Sequence, residues 1–364
     1  MRKPDFIYSN TQKEGPGSGQ TQSGFPLVSI IIPCFNEENF IGTILSNILS
    51  QDYPREFIEV LIVDGMSSDK TRLIVQSYEK KYSFIHLENN ERQFVPFALN
   101  LGIKKSKGEV IMIMGSHSTY PPDYVSILVK ALFDLDADNV GALCDTRPST
   151  STLQARAIAK VISYPFGVGN AYFRIGAKKR MKVDTVTFGC YRRSVFDKIG
   201  LFDEELLRNQ DDEFNSRLIR NGGSIYLIPE VSLVYYSRDK IRSLLQMYYQ
   251  YGLFKPLVSI KNGRPTTLRQ IIPFVFTLFL FGGIPIALLN QVFCGFFLAV
   301  ISLYFLLDLI FCLKICWSQR SPGLVLYLPW LFFLLHLSYG LGYFVGLFNF
   351  VILKKKKSQI ISSR

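Results

Sequence analysis

Short apolar runs punctuate the first two-thirds of the chain, and long ones fill the last third. Residues 27–32, 59–63, 84–87 and 110–114 are bounded by polar or turn residues. Each reads as a short buried strand. Between them, 37–50, 69–82 and 95–105 have the spacing and composition of helices. Strands alternating with helices predict an α/β domain with a parallel sheet covered on both faces. Ligands in such sheets bind beyond the carboxyl ends of the strands. The loops there read PCFNEE, DGMSSDKT and GSHSTYPP, and they should converge on one cleft. No G-x-G-x-x-G follows the first strand and no G-x-x-x-x-G-K-[ST] occurs, so dinucleotide and P-loop readings lose their support.

From about residue 271 to 353 the chain is almost uncharged. Apolar blocks at 271–290, 292–313 and 324–350 each reach the roughly 20 residues of a membrane span. Asn290-Gln291 joins the first two as a tight hairpin, and Gly282, Gly283 and Pro285 are expected to kink the first. Asp308 and His336 lie inside apolar blocks, as functional groups or as paired ones. The stretch SLLQMYYQYGLFK (243–255) reads as an amphipathic interfacial helix. The expected organisation is a flexible tail over 1–25 with no signal peptide, a catalytic domain over 26–237, a basic interfacial segment over 238–270, a transmembrane region over 271–353 and a basic tail over 354–364.

The formal net charge of +12 is concentrated at 178–193, 238–269 and 354–357. Basic tracts beside apolar segments point to a membrane surface and anionic substrates. No nucleic-acid-binding motif is present, so nucleic acid is not an expected partner. The six cysteines are scattered without zinc spacing. No disulfide framework is expected, which favours a multi-pass membrane protein with its catalytic domain on the reducing, cytoplasmic side. Three full spans would then place Lys354–Lys357 outside, against the positive-inside tendency. Either the third block is re-entrant or in-plane, or the basic tail is an exception.

Five motifs, in order, resemble those of glycosyltransferase family 2. They are VSIIIPCFNEE (28–38), VLIVDGMSSDKT (60–71), ALNLGIKKSKGEVIMIM (98–114), VDTVTFGCYRRSVFDKIGLFDEEL (183–206) and QDDEFNSRLIRNGG (210–223). The resemblance runs from about residue 26 to 251. VDG, HSTYPPDYV and VDTVTFGCYRR are most similar to the membrane-anchored exopolysaccharide glucosyltransferases of the succinoglycan type. The resemblance implies a GT-A fold, a Rossmann-like mixed sheet, followed here by a C-terminal transmembrane helical region. It implies inverting transfer from a nucleotide-diphosphate sugar, UDP-linked, to a lipid-linked saccharide acceptor. Two alternatives stand beside it: transfer directly to polyprenyl phosphate, and a catalytically inactive membrane scaffold of the same fold. The Q-x-x-R-W of processive relatives is absent, which argues against a processive synthase.

The resemblance also assigns residues. Asp64 ends a strand, where the family contacts uracil; an Asx turn or helix cap is the structural alternative. Glu37 and Glu38 follow Pro33, and one of them is expected near the nucleoside; both also suit a helix N-terminus. Arg92 precedes a helix and suits a phosphate, or is a surface arginine. The family's Asp-x-Asp, which holds a divalent metal on the diphosphate, reads Gly115-Ser116-His117 here. The first acid is lost, and His117 becomes the candidate ligand for manganese or magnesium, while Ser116 is expected to bind the nucleotide. The alternative for His117 is a loop histidine bonded to backbone. By alignment Asp211 is the general base, with Asp212 one residue away as the alternative. Phe188, Gly189, Cys190 and Tyr191 match the acceptor-side loop. Cys190 is expected to be a packing thiol, since no histidine stands near it in sequence to activate it.

Overall fold

The computed structural model describes residues 24–263 and 267–354. The expected N-terminal tail and basic C-terminal tail fall almost wholly outside the described residues.

Strands β1 (Val28–Cys34), β2 (Ile58–Asp64), β3 (Ile85–Asn89) and β4 (Val110–Ile113) alternate with helices α1 (Ile41–Leu49), α2 (Thr71–Glu79) and α3 (Val95–Lys105). These four strands are mutually parallel, as the sequence predicts. They continue into a mixed sheet through β5 (Ser118–Thr119), β6 (Asn139–Pro148), β7 (Met181–Lys182), β8 (Cys190–Arg192) and β9 (Ile225–Ser237). The order is β3-β2-β1-β4-β8-β6-β9-β5, with β7 pairing β9. Strand β8 is antiparallel to both of its neighbours, so the sheet is mixed rather than wholly parallel.

The central strands are apolar throughout because both faces are covered. Ile30 and Ile32 pack on one side with Ile44 and Leu45 of α1 and Leu128 of α4 (Tyr124–Asp134). Ile31 packs on the other with Leu99 and Ile103 of α3 and with Phe196 and Phe214. The latter two belong to α8 (Arg193–Ile199) and α9 (Gln210–Arg220), which follow α5 (Leu153–Val161), α6 (Pro165–Val168) and α7 (Tyr172–Ile175).

Two helix starts are later than predicted. Helix α1 begins at Ile41, because residues 35–40 turn back on themselves and Phe40 and Ile41 both donate to the Glu37 carbonyl at 2.9 Å. Helix α2 begins at Thr71, because the Asp69 carboxylate accepts the Thr71 amide at 2.9 Å and holds the chain in an Asx turn.

Helix α10 (Ile241–Asn262) leads into three helices long and apolar enough to cross a membrane. These are α11 (Ile272–Leu289), α12 (Gln291–Ser318) and α13 (Leu328–Leu347), the last continued by a π-helical turn, Phe348–Ile352. Asn290 alone separates α11 from α12, and its side chain caps α12 by accepting the Phe293 amide at 3.0 Å. The expected hairpin therefore forms.

Helix α10 is not amphipathic as predicted. Its apolar residues are spread around the helix, and Gly252, Leu253, Phe254, Pro256 and Val258 are all buried. The cause is contact on several sides. Gly252, Gly342 and Gly346 lack the Cβ atoms that would strike the backbones of Tyr339, Tyr249 and Leu253, so α10 and α13 approach closely. Ala157, Ile158 and Val161 of α5 share a core with Ile315, Leu328, Leu331 and Phe332, which ties the apolar helices to the sheet domain.

Candidate functional site

The loops after β1 and β2 are stitched together by their own side chains. The Asn36 amide donates to Ser67 Oγ at 2.8 Å, and Asn36 Oδ1 accepts the Ser68 amide at 2.8 Å. The Glu37 amide donates to Thr71 Oγ1 at 2.7 Å, and Glu38 exchanges bonds with Asp69 and Lys70. Asn36 and Met66 adopt positive φ to make these turns. Glu38 is therefore exposed and occupied with loop structure, whereas Glu37 is buried and faces the third loop. Pro33 lies inside β1, opposite Val63.

Asp64 is fully buried at the end of β2. It pairs with Arg72 at 2.7 Å and accepts from the Ser67 amide at 3.0 Å and from Ser67 Oγ at 2.5 Å. Arg72, in turn, donates to Asn89 Oδ1 at 2.9 Å. Sequence reading missed Arg72, although its spacing of eight residues from Asp64 places it in the first turn of α2. Arg92 is exposed, stands over the Phe97 ring at 5.7 Å and makes no ion pair among the described residues.

The third loop explains its own departure from the acidic motif. A Cβ at Gly115 would strike the ring of Phe188, so no aspartate fits there without displacing that ring. The Gly115 amide instead donates to Tyr120 Oη at 2.7 Å, which pins the turn. His117 Nε2 sits 2.9 Å from Glu37 Oε1, and its ring packs edge-on against Phe40 at 4.6 Å. Glu37 Oε2 is buried without a partner among the described residues. Among the described residues no group of three or more His, Cys, Asp or Glu could hold a metal. His117 and Glu37 thus offer a cation two protein ligands. Two suffice for magnesium or manganese only where substrate phosphates supply more. Ser116 is buried beside them.

Helix α9 separates structural from accessible acids. Glu213 is buried and forms an ion pair with Arg217 at 2.8 Å, one turn along the helix. Arg217 also donates to the carbonyls of Ile199 and Leu201, and Asn100 bonds both backbone groups of Phe202, at 2.9 and 3.0 Å. These bonds fix the approach to α9. Asn209, at φ 60°, holds the Tyr251 carbonyl at 2.8 Å and ties the helix start to α10. Asp212 is matched by the buried Lys255, a partner no sequence motif marks.

Asp211 opens into a cavity of about 490 Å³. Although accessible there, it is surrounded by protein at longer range, and that desolvation pushes its carboxyl up to about 6. The Asp212 charge pushes the same way, while Lys255 opposes it. Thr185 and Thr187 also line the cavity, as do the apolar Phe166, Ile272, Pro273, Phe276 and Leu335. None of its lining residues belongs to the three loops around Asp64, Glu37 and His117. The cleft therefore has two compartments.

The matched acceptor-side residues divide. Phe188, at φ 49°, presents its ring to Gly115. Cys190 and Tyr191 are buried in β8 and belong to the core rather than to an open loop. Gly189 precedes them, and a Cβ there would strike Asn139 and Tyr191. Burial alone pushes the Cys190 thiol up, which agrees with a packing role. His336 bonds the Phe166 carbonyl at 2.8 Å and Tyr304 Oη at 2.9 Å, and Asp308 accepts from Cys312 Sγ at 3.2 Å.

This arrangement can be set beside known proteins. Residues 29–200 match the family model described as glycosyl transferase family 2. The chain is 32% identical over 329 residues to a dolichyl N-acetyl-alpha-D-glucosaminyl phosphate 3-beta-D-2,3-diacetamido-2,3-dideoxy-beta-D-glucuronosyltransferase of Methanococcus voltae, covering 88% of this chain and 97% of that one. It is 27% identical over 263 residues to the succinoglycan biosynthesis protein ExoA of Rhizobium meliloti, covering 72% and 78%. Among solved structures, the mannosyltransferase PcManGT of Pyrobaculum calidifontis, in complex with GDP-Man and manganese, superposes with a TM-score of 0.58 at 19% identity over 88% of this chain and 87% of that one. The chain belongs to glycosyl transferase family 2. It is a glycosyltransferase with a GT-A fold, and three helices at its C-terminal end are apolar enough to enter a membrane.

Proposed function

We propose that this enzyme is an inverting transferase that moves a sugar from a UDP-linked donor to a lipid-linked saccharide, in the synthesis of an exopolysaccharide or similar surface glycan. The observation that carries this reading is the continuity of the cavity. Its lining joins Asp211 and Asp212 to Ile272, Pro273, Phe276 and Leu335 of the apolar helices. An acceptor with a polar head and a lipid tail fits such a space, and the relative from Methanococcus voltae is named for a dolichyl-linked acceptor.

In this mechanism the donor's nucleotide lies in the compartment of Asp64, Glu37 and Ser116, with Arg92 at its edge. The acceptor hydroxyl attacks the anomeric carbon from the face opposite the diphosphate. Asp211 takes its proton as the new glycosidic bond forms and the bond to the diphosphate breaks. A single displacement of this kind needs one base and no covalent intermediate. A base whose carboxyl is pushed up to about 6 is well matched to neutral pH. Asp212 is the weaker candidate because Lys255 already neutralises it. His117 and Glu37 would hold the divalent metal, which supplies Lewis-acid neutralisation of the leaving diphosphate when bound.

The proposed organisation keeps the catalytic domain at 26–237, the interfacial segment at 238–270 and the membrane region at 271–353, with the catalytic domain on the cytoplasmic face. All six cysteines are free, in keeping with a reducing compartment. The test is transfer by membranes carrying the protein, using labelled UDP-sugars and a lipid-linked acceptor extract with manganese, magnesium or EDTA. Metal-dependent transfer to lipid is expected. Transfer that survives EDTA would remove the metal role of His117. Absence of transfer despite nucleotide binding would favour an inactive relative.

A further inference from the structure

Three Lys or Arg side chains line the cavity: Arg174, Lys255 and Arg269. Two are matched by carboxylates. Lys255 contacts Asp212, and Arg269 meets Asp184 at 2.7 Å. Arg174 is different. It makes no ion pair among the described residues, and the one hydrogen bond of its guanidinium there is a long one, from Nη1 to Thr146 Oγ1 at 3.3 Å. Its guanidinium lies between the rings of Phe173 and Tyr235, with centroids at 5.4 and 5.2 Å. The groups that act on it electrostatically include Cys144, Tyr235, Tyr248 and Tyr251, a thiol and phenols. A half-buried guanidinium held by ring faces, with most of its donors unused, is poised for an anion.

We propose that Arg174 is the anion subsite of this cavity, and that the anion is the phosphate joining the acceptor's sugar to its lipid. This rests on the lipid-linked acceptor proposed above and deepens it. Arg174 and Asp211 line the same cavity, so a phosphate on Arg174 leaves the sugar to reach the base and the chain to run over Phe166, Ile272, Pro273 and Phe276. The volume of about 490 Å³ lies within the ordinary range for small-ligand sites, and suits a phosphosugar head rather than a long saccharide. The donor's diphosphate is the other source of the same chemistry. The cavity's lining shares no residue with the nucleotide-side loops, and the donor arm of the experiment separates the two sources.

The experiment is steady-state transfer by the full-length protein in liposomes, with a synthetic dolichyl N-acetylglucosaminyl phosphate and, separately, the same sugar on a neutral alkyl chain. Arg174→Gln and Arg174→Lys are compared with the unaltered protein, varying acceptor and donor in turn. In Arg174→Gln the KM for the phosphate acceptor should rise roughly tenfold or more, the scale of one charged hydrogen bond. The donor KM and UDP binding should stay within about twofold of the unaltered protein's. Arg174→Lys should recover part of the loss, and the neutral acceptor should be used poorly by all three. An unchanged acceptor KM overturns the proposal, and so does a raised donor KM in its place. If Arg174→Gln fails to bind UDP, and so to fold, Arg174→Lys decides by the same acceptor KM. If the unaltered protein uses neither lipid but glycosylates a soluble sugar, the acceptor reading itself fails and this subsite with it.

Discussion

The nucleotide compartment and the acceptor cavity are built from opposite kinds of contact. Around Asp64, the side chains that shape the site come from three loops at adjacent strand ends, and most of their polar atoms already bond one another. Around Asp211, the lining comes from α6, α7 and α9 to α13, residues far apart in sequence, and Asp211 and Arg174 face the cavity. The first compartment is preorganised by local hydrogen bonds. The second depends on how the apolar helices dock on the sheet domain. Local bonding leaves a motif in the sequence; docking leaves only scattered residues.

Five substitutions test this contrast. The largest effect is expected at the base: Asp211→Asn should lower kcat by about 10²–10⁴-fold while leaving UDP binding intact, read by transfer rate and nucleotide titration. The next is structural and confined to the nucleotide side. Arg72→Met leaves the buried Asp64 carboxylate without its cation, and should cost about 3–5 kcal/mol in chemical denaturation. Full stability in that variant would mean that Ser67 alone suffices for Asp64. A smaller cost, about 1–3 kcal/mol, is expected from Gly115→Ala, whose methyl must displace the Phe188 ring. Combining it with Phe188→Leu should return part of the loss if the ring is the obstacle.

The smallest effect is a displaced pH profile. Protonation of Asp211 removes the base, so kcat/KM should fall as pH drops through about 6. Lys255 favours the ionised form of Asp211. Lys255→Met should therefore move the acid limb to higher pH, since the opposing cation is gone while the neighbouring Asp212 remains. A limb that stays in place would separate Lys255 from the base.

Legibility in the sequence follows the same division. Runs such as SIIIP and VLIVD announce buried strands because both faces of the sheet are covered, and the loops after them are the nucleotide side. The acids of QDDEFNSRLIR were legible as a group, but their roles were not. Glu213 proves structural only through its pairing with Arg217, and Asp212 is set apart from Asp211 only by Lys255, 43 residues away. Arg174 carried no signal, since a lone arginine before a basic tract reads as surface. The aromatics and basic ends of 243–255 read as an amphipathic helix. The close approach of α10 to α13 rests on Gly252, Gly342 and Gly346, whose meaning lies in the backbone they admit. The buried positions of Cys190 and Tyr191 were likewise hidden, because three residues of β8 are too short a strand to show alternation.

The most direct measurement is single-turnover transfer from a labelled UDP-sugar to a lipid-linked acceptor by the full-length protein in liposomes, with and without Asp211→Asn. Product in the lipid phase from the unaltered protein, lost in the variant with UDP binding retained, is the result expected. Undiminished transfer by Asp211→Asn would contradict the role of the cavity acid, and product only on soluble sugars would contradict entry of the acceptor from the membrane.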